Sequence, residues 1–170
     1  MKKEELLTTC FGLGKLPWAP GTWGSLPPVV IYQVLGYLGP VLNVYVMAFF
    51  VVLGSWICLQ YVPAVILTSG PELPHTVVAD KLAGQALTMW MIVVLGPNEI
   101  CNSMALGFAL FRLVDITRPW PCRRLYDMLR PGQGILAQGL MAGVYAGAVA
   151  CLLIRFFPTY FGQCYLFGIH

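Results

Sequence analysis

Between Val41 and Leu67 the chain runs for 27 residues without a single charged side chain. At about 1.5 Å per helical residue, that stretch is longer than the ~30 Å hydrocarbon core of a bilayer. It predicts a transmembrane helix, and the rest of the chain repeats the theme. Val29–Leu38, Leu82–Leu95, Cys101–Leu113 and Ile135–Phe157 are also apolar, set apart by Gly39-Pro40, by a polar stretch over 68–81 and by Gly96-Pro97-Asn98-Glu99. The two short central segments have lengths that suit either a crossing or a re-entrant hairpin. Overall 58% of residues are hydrophobic and 10% charged, whereas soluble domains carry roughly 25% charge. Too little polar surface remains to coat a water-soluble globule of 170 residues. The fold expected is all-α: a single domain, 1–170, built as a polytopic membrane bundle of about four or five hydrophobic helices. A soluble fold with a very apolar core is the bland alternative.

The scarce charge is unevenly placed. Taking five crossings, the N-terminus, residues 68–81 and residues 112–134 share one face. That face holds Lys2, Lys3, Lys15, Lys81, Arg112, Arg118, Arg123, Arg124 and Arg130, which is every Lys and Arg except Arg155. An excess of Lys and Arg marks the cytoplasmic side. A formal net charge of +3 with no basic tract interleaved with aromatics excludes a nucleic-acid partner. The six cysteines are scattered without a Cys-x-x-Cys pair, so neither a zinc site nor a disulfide framework is expected. Lys2 and Lys3 are followed at once by Glu4 and Glu5, and Gly12, Gly14 and Lys15 break the next apolar stretch. A cleavable signal peptide is therefore not expected.

Three stretches can carry chemistry. In Phe111–Arg124, Arg112 and Asp115 are three residues apart and share a helix face. They read as an ion pair that makes two charges tolerable near a membrane, or as a phosphate clamp beside a metal ligand or base. Asp80 opens an apolar helix, where a carboxylate is a cap or a functional acid, and Lys81 beside it can snorkel to the interface. Residues 6–26 mix glycine, proline and hydroxyl residues and suit a structured loop or half-helix rather than a span. Within them Pro17–Leu26 reads as an oxyanion-binding loop or a tight turn packing two helices. Gly12-Leu13-Gly14-Lys15 is not a phosphate-binding P-loop, because Thr9 falls where the first glycine belongs. Cys122–Arg130 reads as a short interfacial helix, with Leu125, Met128 and Leu129 on one side and arginines reaching anionic lipid.

These strings together resemble a known family. Phe-Gly-Leu-Gly with Ala-Pro-Gly-Thr-Trp-Gly-Ser-Leu (11–26), Val-Val-Ala-Asp (77–80), Phe-Arg-Leu-Val-Asp-Ile-Thr-Arg-Pro-Trp-Pro (111–121) and Gly-Gln-Gly-Ile with Ala-Gly-Val-Tyr-Ala (132–146) follow the order and spacing of bacterial phosphatidylglycerophosphatase A. The resemblance implies a multi-pass enzyme of the bacterial inner membrane with its site on the cytoplasmic face. The implied reaction is magnesium-dependent removal of the terminal phosphate from phosphatidylglycerol phosphate, a step of phospholipid biosynthesis. The phospholipid substrate and the membrane are the partners implied. By matched position it implies Asp80, Arg112 and Asp115 as catalytic residues and Asp80 and Asp115 as Mg2+ ligands. Arg118, Thr22 and Ser25 would then bind substrate, with Arg123 beside them. At Lys81, where the family has an acid, either Asp80 and Asp115 alone supply the minimum for Mg2+ or the lysine stands in for part of the metal charge as a phosphate contact. The chain departs from the family's acids at Lys81, Gln138 and Gly139, where Glu, Asp and Asp are usual. Those departures open the alternative of a catalytically impaired member that binds anionic phospholipid or a partner without hydrolysis. A small transporter or purely structural membrane protein is the more distant rival.

Overall fold

The computed structural model describes residues 8–9, 20–69, 77–96, 101–120, 122, 124 and 128–157. Its elements are five helices: α1 (Pro20–Leu38), α2 (Pro40–Ser69), α3 (Ala79–Leu95), α4 (Cys101–Thr117) and α5 (Pro131–Phe156). Among the described residues there is no strand.

Proline and glycine set most of the boundaries. Pro20 opens α1, where the missing N–H would have lacked an intrahelical partner anyway. Gly39, at φ +137°, makes the turn into α2, in a region that residues with a Cβ rarely enter. Pro131 opens α5 in the same way. Arg118 ends α4 with φ +45°, its N–H bonded to the Val114 carbonyl at 2.9 Å. The following Pro119 disfavours further α conformation at that residue.

Of the loop and half-helix readings of this segment, the described residues take the helical one. Residues 20–26 are the first turns of α1, continuous with the apolar run that follows, and Pro27 and Pro28 lie inside that helix. The glycines that make this segment look loop-like allow close packing instead. A Cβ on Gly24 would stand 2.5 Å from Val78 Cβ. Tertiary contact thus overrides weak helix propensity. The reading of Cys122–Arg130 as a helix lies largely outside the described residues, although Cys122, Arg124 and Met128 have helical backbone.

Helix α3 is the hub and packs against all four others. Its seam with α5 is made by small residues. A Cβ on Gly84 would run into the Gly139 carbonyl, and one on Gly143 into the Gly84 carbonyl. Thr88, buried in the same seam, donates its hydroxyl toward the Gly84 and Gly143 carbonyls at 3.1 and 3.2 Å. Small residues that let two backbones touch are typical of helices associating in lipid. Elsewhere Asn43 Nδ2 donates to the Tyr32 carbonyl at 3.1 Å and ties α2 to α1. The Tyr32 hydroxyl pairs with Ser103 Oγ at 3.2 Å and ties α1 to α4.

The outside of the bundle is oily. Val41, Tyr45, Phe49, Val52, Trp56 and Leu59 form an exposed stripe along α2 at helical spacing. Pro40–Leu67 and Gly132–Phe156 are long and apolar enough to cross a membrane. Helices α3 and α4 have 17 residues each, or about 25 Å, which is short of a full hydrocarbon core.

Candidate functional site

The start of α3, the end of α4 and the start of α1 meet at one end of the bundle. Asp80 and Lys81 sit in the first turn of α3, and Lys81 Nζ lies 2.8 Å from Asp80 Oδ2. Arg112 and Asp115 sit in the last turns of α4, with Arg112 Nη1 2.7 Å from Asp115 Oδ2. Gly21 of α1 joins the two pairs. A Cβ there would lie 3.0 Å from Lys81 Cδ and Cε and 3.2 Å from Arg112 Nη1. The absence of a side chain at residue 21 is what lets both cations lie against the α1 backbone. Lys81 also feels the fields of Asp115 and Arg112 across the helix gap, and Asp115 feels those of Asp80 and Arg118. Four charged groups from two helices therefore act as one cluster.

Its layering is informative. The side chains of Asp80 and Asp115 are 4% and 7% exposed, while those of Lys81 and Arg112 are 21% and 18% exposed. The acids lie behind and the bases in front. Buried carboxylates that each hold a cation can orient that cation toward an incoming anion. Around the acids the packing is close. A Cβ on Gly139 of α5 would be 2.8 Å from the Asp80 carbonyl oxygen and 3.3 Å from Asp80 Cβ. Asp80 Oδ1 is enclosed and has no hydrogen-bond partner.

The other expected residues are distributed as follows. Arg118 is exposed at the end of α4 and sits within the field of Asp115. Thr22 is half-buried, one residue beyond Gly21. Ser25 is buried and donates back to the Gly21 and Thr22 carbonyls at 3.1 and 3.0 Å, so its proton serves its own helix. Arg123 lies outside the described residues. Gln138, at the first of the two α5 departures, is buried. Val78, immediately before α3, donates its N–H to the Thr8 carbonyl at 3.0 Å, which brings Thr8 to the same end.

One residue of the site, Gly21, is not foreseen from sequence: it belongs to a glycine-rich string, and nothing local to it names its two cationic neighbours. Gln85, one helical turn beyond Lys81, is fully enclosed with neither amide atom hydrogen-bonded. An unpaired buried amide costs about 1–3 kcal/mol.

Asp80 and Asp115 are brought together, but as arranged they do not fit a resident Mg2+. Each has Oδ2 engaged by a cation of its own helix. Asp80 Oδ1 is closed even to water-sized contact, and Mg2+ normally keeps several waters. Among the described residues no group of three or more His, Cys, Asp or Glu side chains converges.

Comparison with known proteins places these features in context. The family model described as Phosphatidylglycerophosphatase A matches residues 6–154. Phosphatidylglycerophosphatase A of Escherichia coli (strain K12) is 28% identical over 154 residues, covering 91% of this chain and 85% of that protein. The Haemophilus influenzae protein of the same name is 30% identical over 143 residues, covering 84% and 83%. A Bacteroides thetaiotaomicron protein named "Putative phosphatidylinositol-3-phosphatase" is 28% identical over 148 residues, covering 83% and 87%. No solved structure matches.

Proposed function

The chain belongs to the phosphatidylglycerophosphatase A family, and from that premise we propose that it removes the terminal phosphate of phosphatidylglycerol phosphate at the α1–α3–α4 cluster. The observation that carries this reading is the layering of the site. Two cations from separate helices stand forward on buried carboxylates, an arrangement suited to a phosphate dianion. Water attacks phosphorus while the bond from phosphorus to the glycerol oxygen breaks. One water proton ends on the released glycerol oxygen, and the products are phosphatidylglycerol and inorganic phosphate. Such transfers ask the protein mainly for positioning and charge. The Arg112 fork and the Lys81 ammonium supply both, and Arg118 adds positive charge at the rim.

The oily α2 stripe and the two candidate spans support a lipid-embedded bundle. We read it as multi-pass in the bacterial inner membrane. The Lys- and Arg-rich end faces the cytoplasm, so the cluster lies at the level of the inner-leaflet headgroups. The phospholipid is the partner, and nucleic acid is not. The magnesium expected from the family resemblance enters no step here, because the donor set does not suit it.

All the named relatives carry names of phosphatases for phosphorylated phospholipids, so headgroup identity is the point to test. Purified full-length protein in vesicles is given phosphatidylglycerol phosphate, phosphatidylinositol 3-phosphate or glycerol 3-phosphate, and free phosphate is measured. Phosphatidylglycerol phosphate is expected to be turned over fastest, and the tail-less phosphate slowest. Binding of the lipids with no phosphate release from any of them would replace this reading with that of a non-hydrolysing lipid-binding member.

A further inference from the structure

We propose that the Lys81 ammonium serves as the built-in cation of this site, so that the chain grips a lipid phosphomonoester without a divalent metal. The inference rests on the function proposed above only for the class of ligand. Three observations carry it.

First, the ammonium already occupies the carboxylate a metal would use. Lys81 Nζ is 2.8 Å from Asp80 Oδ2, and the other carboxylate oxygen, Asp80 Oδ1, is buried without a hydrogen-bond partner. A metal could reach Asp80 only by displacing the lysine. Asp115 is likewise held, by Arg112 at 2.7 Å.

Second, the four charged groups sum to zero: two aspartates against one lysine and one arginine. A neutral cluster has no net negative field with which to hold a dication before the lipid arrives. What it offers at its mouth is positive, because the bases are the more exposed members of both pairs.

Third, Lys81 is built into place rather than trailing in water. Its methylenes lie against Gly21, at 3.0 Å from where a Cβ would stand, and the same point is 3.2 Å from Arg112 Nη1. Ammonium and guanidinium therefore flank one short stretch of α1 backbone, close enough together to share a single phosphate. On this account Asp80 and Asp115 are positioning residues. They act through the cations they hold and do not themselves touch the phosphate or a metal.

The test separates binding from turnover. The probe is a non-hydrolysable methylene-phosphonate analogue of phosphatidylglycerol phosphate, presented in phosphatidylcholine vesicles to the full chain. The affinity of the wild type is expected to agree within about twofold between EDTA and millimolar Mg2+, a difference worth less than half a kcal/mol. In EDTA, Lys81→Met is expected to bind at least about tenfold more weakly, as loss of a charge-assisted contact implies. Lys81→Arg should retain metal-free binding, and Lys81→Glu should bind only when Mg2+ is added. Binding by the wild type that vanishes in EDTA and returns with Mg2+ overturns the proposal, as does a folded Lys81→Met protein equal to wild type in EDTA. If Lys81→Met does not fold, the wild-type and Lys81→Arg measurements still decide. Metal-free binding without phosphate release from the natural lipid would remove the hydrolytic reading and leave this one standing.

Discussion

Arg112→Ala is expected to lower kcat/KM for phosphate release by at least about 100-fold, the scale on which a single preorganised electrostatic partner acts. Arg112 stands in the front layer of the site, is 18% exposed and is aimed by Asp115 at 2.7 Å. Arg112→Lys keeps the charge but loses the planar fork, so it should fall between wild type and alanine. The alanine variant also leaves Asp115 nearly buried and unpaired, which costs about 3–5 kcal/mol. Instability and lost chemistry must therefore be separated. Arg112→Ala combined with Asp115→Ala removes the stranded charge, so its stability should recover while its activity stays lost. Arg155 provides the control. It is exposed in the last turn of α5, at the far end of that helix from the site. Arg155→Ala should change activity little and stability by no more than about 1 kcal/mol, the size of a helix-dipole contribution. Comparable losses at both arginines would instead favour a structural or transport role with no special end.

The second large effect is expected at the α3–α5 seam. Gly143→Leu places a side chain against the Gly84 carbonyl, with backbone on both sides and no flexible group to move aside. Overpacking of this kind costs about 1–3 kcal/mol where neighbours can adjust. Here they cannot, so the upper end of that range or beyond is expected. The thermal midpoint in detergent should drop sharply, and size-exclusion chromatography should show less monodisperse protein. Ala148→Leu, on the exposed side of the same helix, should leave both measurements near wild type. Activity should follow folding at Gly143, because the same seam seats Gly139 against Asp80. A Gly143→Leu protein as stable as wild type would mean that α3 and α5 do not pack through their glycines.

Both effects bear on how far the sequence alone could lead. The apolar run over Val41–Leu67 anticipated α2 almost to its ends, because a long uncharged stretch has few alternatives to a helix. Ile135–Phe157 did nearly as well for α5. The start of α1 is ambiguous between loop and half-helix because glycine, proline and hydroxyl residues are loop-formers on average, while here Gly21 and Gly24 admit Lys81, Arg112 and Val78. That requirement comes from neighbours distant in sequence and leaves no local mark. The spacing Gly139-x3-Gly143-x3-Gly147 did leave one. It is a close-packing pattern that could have named the seam in advance.

The site divides the same way. Arg112 and Asp115 were legible as a pair from their i, i+3 spacing. Asp80 and Lys81 were legible as charge at the head of an apolar helix. That the two pairs form one cluster depends on which helices are neighbours, and a single sequence without covarying positions does not reveal it. The order of the layers, acids behind and bases in front, is likewise a product of packing. On the proposal above, that order makes the aspartates supports for the two cations.

The most direct test of the central claim is to follow the phosphorus NMR spectrum of phosphatidylglycerol phosphate vesicles containing the wild-type chain. The phosphomonoester resonance should be replaced, mole for mole, by inorganic phosphate while the phosphodiester resonance persists. A monoester signal that stays undiminished, with folded protein present and Mg2+ supplied, would contradict the assignment of this cluster as a lipid phosphatase site.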